Sequence, residues 1–112
     1  EKLGDLVGLL TERFRRLGLE YIMYGHAGDA NLHARPLVDP SDPGGAKAMR
    51  GLMEDCFEAV WKMGGSMTGE HGDGRLRAEY VERQYPRTYW MMREIKALYD
   101  PKGVMNPGVK LA

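Results

Sequence analysis

The chain has one cysteine in 112 residues, Cys56. That excludes an internal disulfide and a thiolate metal cluster. Charge of neither sign is in excess, because 16 basic residues cancel 16 acidic ones. The balance removes the electrostatic case for a nucleic-acid or anionic-membrane partner. Arg13, Arg15 and Arg16 form only a local cluster, read as a solvated helix face. No apolar run approaches the roughly 18 residues of a membrane-spanning helix, and there is no signal-peptide pattern. The expected location is therefore the cytoplasm, or the cytosolic face of a membrane complex. Repeats, low-complexity tracts and interdomain linkers are missing, so residues 1–112 read as one domain. Histidine is scarce as well, with three in all, but the three are concentrated in two glycine-rich stretches.

A chain of this size buries a modest core. It opens on Glu1 and ends just beyond Asn106-Pro107-Gly108, and it reads as a piece of a longer protein. Leu3, Leu6, Val7, Leu10, Phe14 and Leu17 recur at helical spacing, which predicts an amphipathic helix over 2–17 with Gly18 as its C-terminal cap. Residues 19–25 and 31–37 read as strands, and Val38–Gly45 as a loop. Met49, Leu52, Met53, Cys56, Phe57 and Val60 mark a second helix over 44–63, with Asp42 as N-cap, Pro43 in the first turn and Gly64-Gly65 at its end. Cys56 lies on that apolar stripe and reads as core filler. A short helix over 75–83 and a longer one from Pro86 to Leu98 follow, stopped by Asp100-Pro101, and the tail to Ala112 is irregular. The pattern predicts an α+β fold with helices packed on an antiparallel sheet. Two strands do not make a stable sheet alone. The sheet is expected to be completed by further strands, by chain outside this segment, or by a second copy pairing at an open edge.

The chemistry-bearing residues sit in the two glycine-rich stretches. Gly25-His26-Ala27-Gly28-Asp29-Ala30-Asn31-Leu32-His33 carries two of the histidines. With 27–30 as the turn, His26 pairs with Asn31 and Tyr24 with His33, and the two imidazoles become diagonal neighbours on one face. A slip of one residue would send them to opposite faces. Gly25 and Gly28 fit a need for close approach of an ion to the backbone. Gly69-Glu70-His71-Gly72-Asp73-Gly74 supplies a carboxylate and the third histidine. His26, His33 and Glu70 form a two-nitrogen, one-oxygen ligand set suited to a divalent cation such as Zn²⁺ or Mn²⁺. Adjacent residues rarely both bind one ion from an extended loop, which leaves His71 as a general base. The loop 69–74 could instead cradle an anion, but it lacks the P-loop lysine and the dinucleotide-binding pattern. It also lacks the histidine spacing of zinc proteases.

Three motifs in order resemble the C-terminal part of the FAD-linked oxidases: Gly25-His26-x-Gly28-Asp29-x-Asn31-Leu32-His33, Gly64-Gly65-Ser66-x-x-Gly69-Glu70-His71-Gly72-x-Gly74, and Asp100-Pro101-x-Gly103-x-x-Asn106-Pro107-Gly108. That family includes D-lactate dehydrogenases, D-2-hydroxyglutarate dehydrogenases and the glycolate oxidase large subunit. The resemblance implies a ferredoxin-like α+β cap over a flavin that is bound mostly by an N-terminal FAD domain absent here. It also implies oxidation of a D-2-hydroxy acid to the 2-oxo acid by hydride transfer to FAD. His26, His33 and Glu70 match metal-ligand positions, and His71 matches the catalytic base. Asn31 and Asn106 match positions facing the cofactor. Arg35 and Arg75 are candidates for the substrate carboxylate, with a surface ion pair as the alternative for each. The run through Asp73 and Arg75, with Arg35-Pro36, is most similar to the branch fused to an iron–sulfur domain, which would make an iron–sulfur centre the electron acceptor. Ala30 departs from the family's glycine. If the turn needs positive φ there, Ala30 is strained by about 1 kcal/mol. Alone, the chain is expected to be inactive. The other function class left open is a non-catalytic structural or sensing module with a closed four-ligand metal shell, completed by His71 or Asp29.

Overall fold

The structure is a computed structural model that describes residues 2–39 and 41–111. Pro40, within the expected 38–45 loop, and Ala112, at the end of the expected irregular tail, lie outside the described residues. The chain divides into two compact units, Glu1–Gly69 and Glu70–Ala112.

The first unit runs α1 (Leu3–Arg16), β1 (Tyr21–His26), β2 (Asn31–Pro36) and α2 (Pro43–Lys62). This α-β-β-α order is the inner part of the ferredoxin-like β-α-β-β-α-β arrangement. Both helices end as their glycines dictate. After α1, Gly18 takes φ +65. Its N–H bonds the Arg15 carbonyl at 3.0 Å, and the Leu19 N–H bonds that of Phe14 at 2.9 Å. After α2, Gly64 takes φ +79, and the N–H groups of Gly64 and Gly65 bond Trp61 and Val60 in the same pattern. These paired bonds satisfy the last carbonyls of each helix, and glycine alone enters the left-handed position without Cβ strain. At the other end of α2 the Asp42 carboxylate accepts from the N–H groups of Gly44 and Gly45, with Pro43 in the first turn, satisfying donors that have no partner inside the helix.

The two strands pair antiparallel, Tyr21 with Pro36 through His26 with Asn31. They are the only strands among the described residues, so the fold is α+β, as its pattern of periods predicts. One face of the hairpin supplies Tyr21, Met23, Leu32 and Ala34 to a core around Leu10, Phe14 and Leu52, with Leu6, Leu9, Leu19, Met49 and Cys56 packed against it. Phe14, 2% exposed, meets the Tyr21 ring at 4.9 Å. Cys56 is core filler here: burial pushes its thiol pKa up, which suppresses thiolate chemistry.

The second unit starts with a polar loop. The helix expected over 75–83 is instead a turn, a 3₁₀ segment at Ala78–Tyr80 and the single-turn α3, Val81–Gln84. The long helix α4 spans Tyr89–Tyr99, starting three residues later than Pro86 suggested because Pro86–Thr88 form a turn. Its end is organised by Asp100, 5% exposed. The Asp100 carboxylate accepts the N–H groups of Val104 and Met105, each at 2.9 Å, and an ammonium proton of Lys96. The Lys96 bond is the chief cause holding the Asp100 carboxyl below the usual carboxylate range, with the two N–H bonds adding to it. Among the described residues, no helix is long and apolar enough to cross a membrane.

Candidate functional site

Successive side chains of a strand point to opposite faces. The core takes Tyr21 and Met23 from β1, so Ile22, Tyr24 and His26 face the other way, with their cross-strand partners Arg35, His33 and Asn31. This face is open: Ile22 is 54% and Tyr24 is 47% exposed. It carries four of the residues singled out from the sequence, His26, Asn31, His33 and Arg35.

The register is the one expected, and it makes His26 and His33 diagonal neighbours. Their ring centroids lie 6.1 Å apart, edge to face at 77°. One ring nitrogen of each lies within 4.8 Å of the other. Two nitrogens on one cation at about 2.1 Å each stand at most about 4.2 Å apart. A small side-chain rotation therefore lets both rings reach one divalent cation. The connection is a 3₁₀ turn, Ala27–Asp29, closed by Ala30 at φ 52 and ψ 31. Ala30 is thus left-handed, the strained conformation foreseen for an alanine at this place.

The two glycines of the hairpin stand in different surroundings. A Cβ on Gly25 would stand 2.2 Å from the Asn31 carbonyl oxygen, whereas Gly28 faces open space. Gly25 is required by the close approach of the neighbouring strand. Gly69 is a close-approach glycine too: a Cβ there would sit 2.4 Å from Asn31 Oδ1. The Asn31 carboxamide is therefore packed against the backbone of the residue that precedes Glu70.

Tyr24 is the member of this face that the sequence motifs passed over. Its ring stacks on His33, with centroids 5.0 Å apart and planes 10° from parallel. The Arg35 guanidinium carbon lies 5.6 Å from the same ring's centroid. Period-two alternation with His26 was the available signal.

In the second unit, Glu70 and His71 sit side by side, with Oε1 and Nε2 3.4 Å apart and the His71 side chain 77% exposed. Gly72 and Gly74, at φ +74 and +59, turn the chain beyond them. Asp73, 5% exposed, is paired with Lys110 at 3.3 Å. The Lys110 N–H donates to the Gly74 carbonyl at 2.8 Å. These bonds stitch the tail to the 72–75 loop. Arg75 Nη1 lies 3.5 Å from the Cβ position of Gly108, so the expected substrate arginine borders the tail that carries Asn106. Asn106 itself is exposed at φ 47, a left-handed position asparagine tolerates better than most residues.

The profile of the FAD linked oxidases, C-terminal domain, matches residues 1–109. A D-lactate dehydrogenase of Archaeoglobus fulgidus is 40% identical over 98 residues, covering 88% of this chain and 21% of that protein. A D-2-hydroxyglutarate dehydrogenase of Pseudomonas putida is 33% identical, over 96% of this chain and 11% of its own length. A glycolate oxidase subunit of Bacillus subtilis is 29% identical, over 99% of this chain and 24% of its own. The chain spans a quarter or less of each of these relatives. It belongs to the family of FAD-linked oxidase C-terminal domains.

Proposed function

We propose that this chain is the substrate-facing cap of an FAD-dependent dehydrogenase that oxidises a D-2-hydroxy acid to the 2-oxo acid. His26, His33 and Glu70 would hold a divalent cation of the Zn²⁺ or Mn²⁺ kind. When bound, such an ion supplies Lewis-acid polarisation of hydroxyl and carboxylate oxygens. FAD, held mostly by a domain outside this chain, supplies the hydride acceptor. Chain connectivity supports Glu70 as third ligand, because it follows a glycine packed on Asn31, the partner of His26 in the register.

The work of the chain's own residues follows from their chemistry. His71 accepts the substrate hydroxyl proton, and its neighbour Glu70 orients the imidazole from 3.4 Å. Loss of that proton to His71, and of the C2 hydrogen as hydride, leaves the 2-oxo acid. Arg35 and Arg75 offer planar guanidinium forks for the substrate carboxylate. Asn31 and Asn106 offer carboxamides on the flavin side. An iron–sulfur centre as electron acceptor and a place in the cytoplasm belong to the same reading.

The observation that carries it is the His26–His33 pair, diagonal on an open sheet face in a member of this family. The test is turnover of D-lactate, glycolate and D-2-hydroxyglutarate by the flavoprotein that contains this chain, with His71→Gln alongside. A kcat lower by about 10²–10⁴, with KM within a few-fold, is expected for loss of a general base. An unchanged kcat would remove His71 from that role.

A further inference from the structure

Tyr24 lies on the open face of the hairpin at 47% exposure, so burial does not account for a large aromatic ring there. Its contacts do. It is nearly parallel to the His33 imidazole at 5.0 Å, while His26 meets His33 edge-on at 77°. The same Tyr24 ring carries the Arg35 guanidinium at 5.6 Å, within range of a cation–π attraction. An imidazole on an open strand face turns about its last torsion, and that torsion sets where both ring nitrogens point. Stacking on Tyr24 restricts that torsion of His33, beside the His26 ring at 6.1 Å.

We propose that Tyr24 is the positioning residue of this site, fixing the ring plane of His33 and the place of the Arg35 guanidinium through one aromatic ring. The inference rests on reading His33 as a cation ligand. Tyr24 touches neither the ion nor substrate in this role; it acts through the two side chains it contacts. The ring, not the hydroxyl, carries the effect, so phenylalanine substitutes for it and an aliphatic side chain does not.

The experiment titrates the 112-residue chain with Co²⁺ alone and records the d–d absorption bands, which report ligand geometry. It compares the unsubstituted chain, Tyr24→Phe, Tyr24→Leu and His26→Ala. The unsubstituted chain and Tyr24→Phe are expected to bind alike with the same bands. Tyr24→Leu is expected to bind about tenfold or more weakly, as for loss of a group that orients a ligand, with altered bands and an unchanged thermal midpoint. In the metal-free chain, NMR is expected to show the His33 ring protons shifted by the Tyr24 ring current, and that shift to vanish in Tyr24→Leu. Tyr24→Leu binding Co²⁺ as tightly as the unsubstituted chain, with the same bands, would overturn the positioning role while the cation site stands. No binding by the unsubstituted chain would remove the cation site and this proposal with it, whatever the ring-current shift shows.

Discussion

The two faces of the β1–β2 hairpin are drawn from alternate residues of the same strands and are ordered by different forces. On the inner face, Tyr21, Met23, Leu32 and Ala34 are held by burial against α1 and α2. On the outer face, Tyr24, His26, His33 and Arg35 are held by ring stacking and a cation–π contact in the open. The inner face makes the fold and the outer face is left over for chemistry. Such a division lets the outer residues change without loss of the domain, because little of the folding free energy resides in them. The second unit shows a third means of order. Its tail is fastened by two buried carboxylates, Asp73 and Asp100, while Ala78, Tyr80, Val81 and Tyr89 supply its buried apolar side chains.

The two faces differ most at Phe14. Phe14→Ala should cost about 3–5 kcal/mol, the usual penalty for a buried aromatic ring, whereas Tyr24→Ala on the other face should change stability by less than about 0.5 kcal/mol. Urea unfolding followed by circular dichroism measures both, and similar losses would erase the distinction between the faces. Gly25→Ala comes next. Its Cβ would collide with the Asn31 carbonyl, and forced overpacking costs about 1–3 kcal/mol.

Asp100→Asn sharpens the contrast between the units. The depressed pKa of Asp100 means that its stabilisation is in full force above the ordinary carboxylate value of 3.8 and is lost as pH falls through that value and the lower folded one. The stability gap between the unsubstituted chain and Asp100→Asn should therefore be present at neutral pH and close below about 3.8. An acid titration read by circular dichroism checks this, and a gap independent of pH would mean the carboxylate charge is not what holds the tail. The smallest effect is a gain. Ala30→Gly should stabilise the chain by about 0.5–1 kcal/mol, since relief of the left-handed alanine outweighs the added freedom of glycine in the unfolded chain.

Local chemistry made much of this legible. Asp42, Gly18 and Gly64 mark helix ends because capping is decided within a few residues, and the structure places each in that role. The pairing of His26 with Asn31 and of Tyr24 with His33 followed from the length of one turn. What stayed hidden depends on contacts that only the folded backbone brings together. The close approach at Gly25 needs the Asn31 carbonyl, and the buried Asp73 pairs with Lys110 from the tail. Asp100-Pro101 read as a helix stop, but its carboxylate also gathers N–H groups from four and five residues ahead. The 75–83 segment has apolar residues at uneven intervals, and it resolved into a turn, a 3₁₀ segment and one helical turn rather than a continuous helix.

The proposed cation site draws on His26, His33 and Glu70 and leaves His71 out of its shell. Elemental analysis of the purified chain after Zn²⁺ loading and buffer exchange tests it most directly, with His26→Ala and His71→Ala beside it. Close to one equivalent of metal is expected in the unsubstituted chain, lost in His26→Ala and kept in His71→Ala. Metal lost in both variants would contradict it and point to a closed structural shell that includes His71.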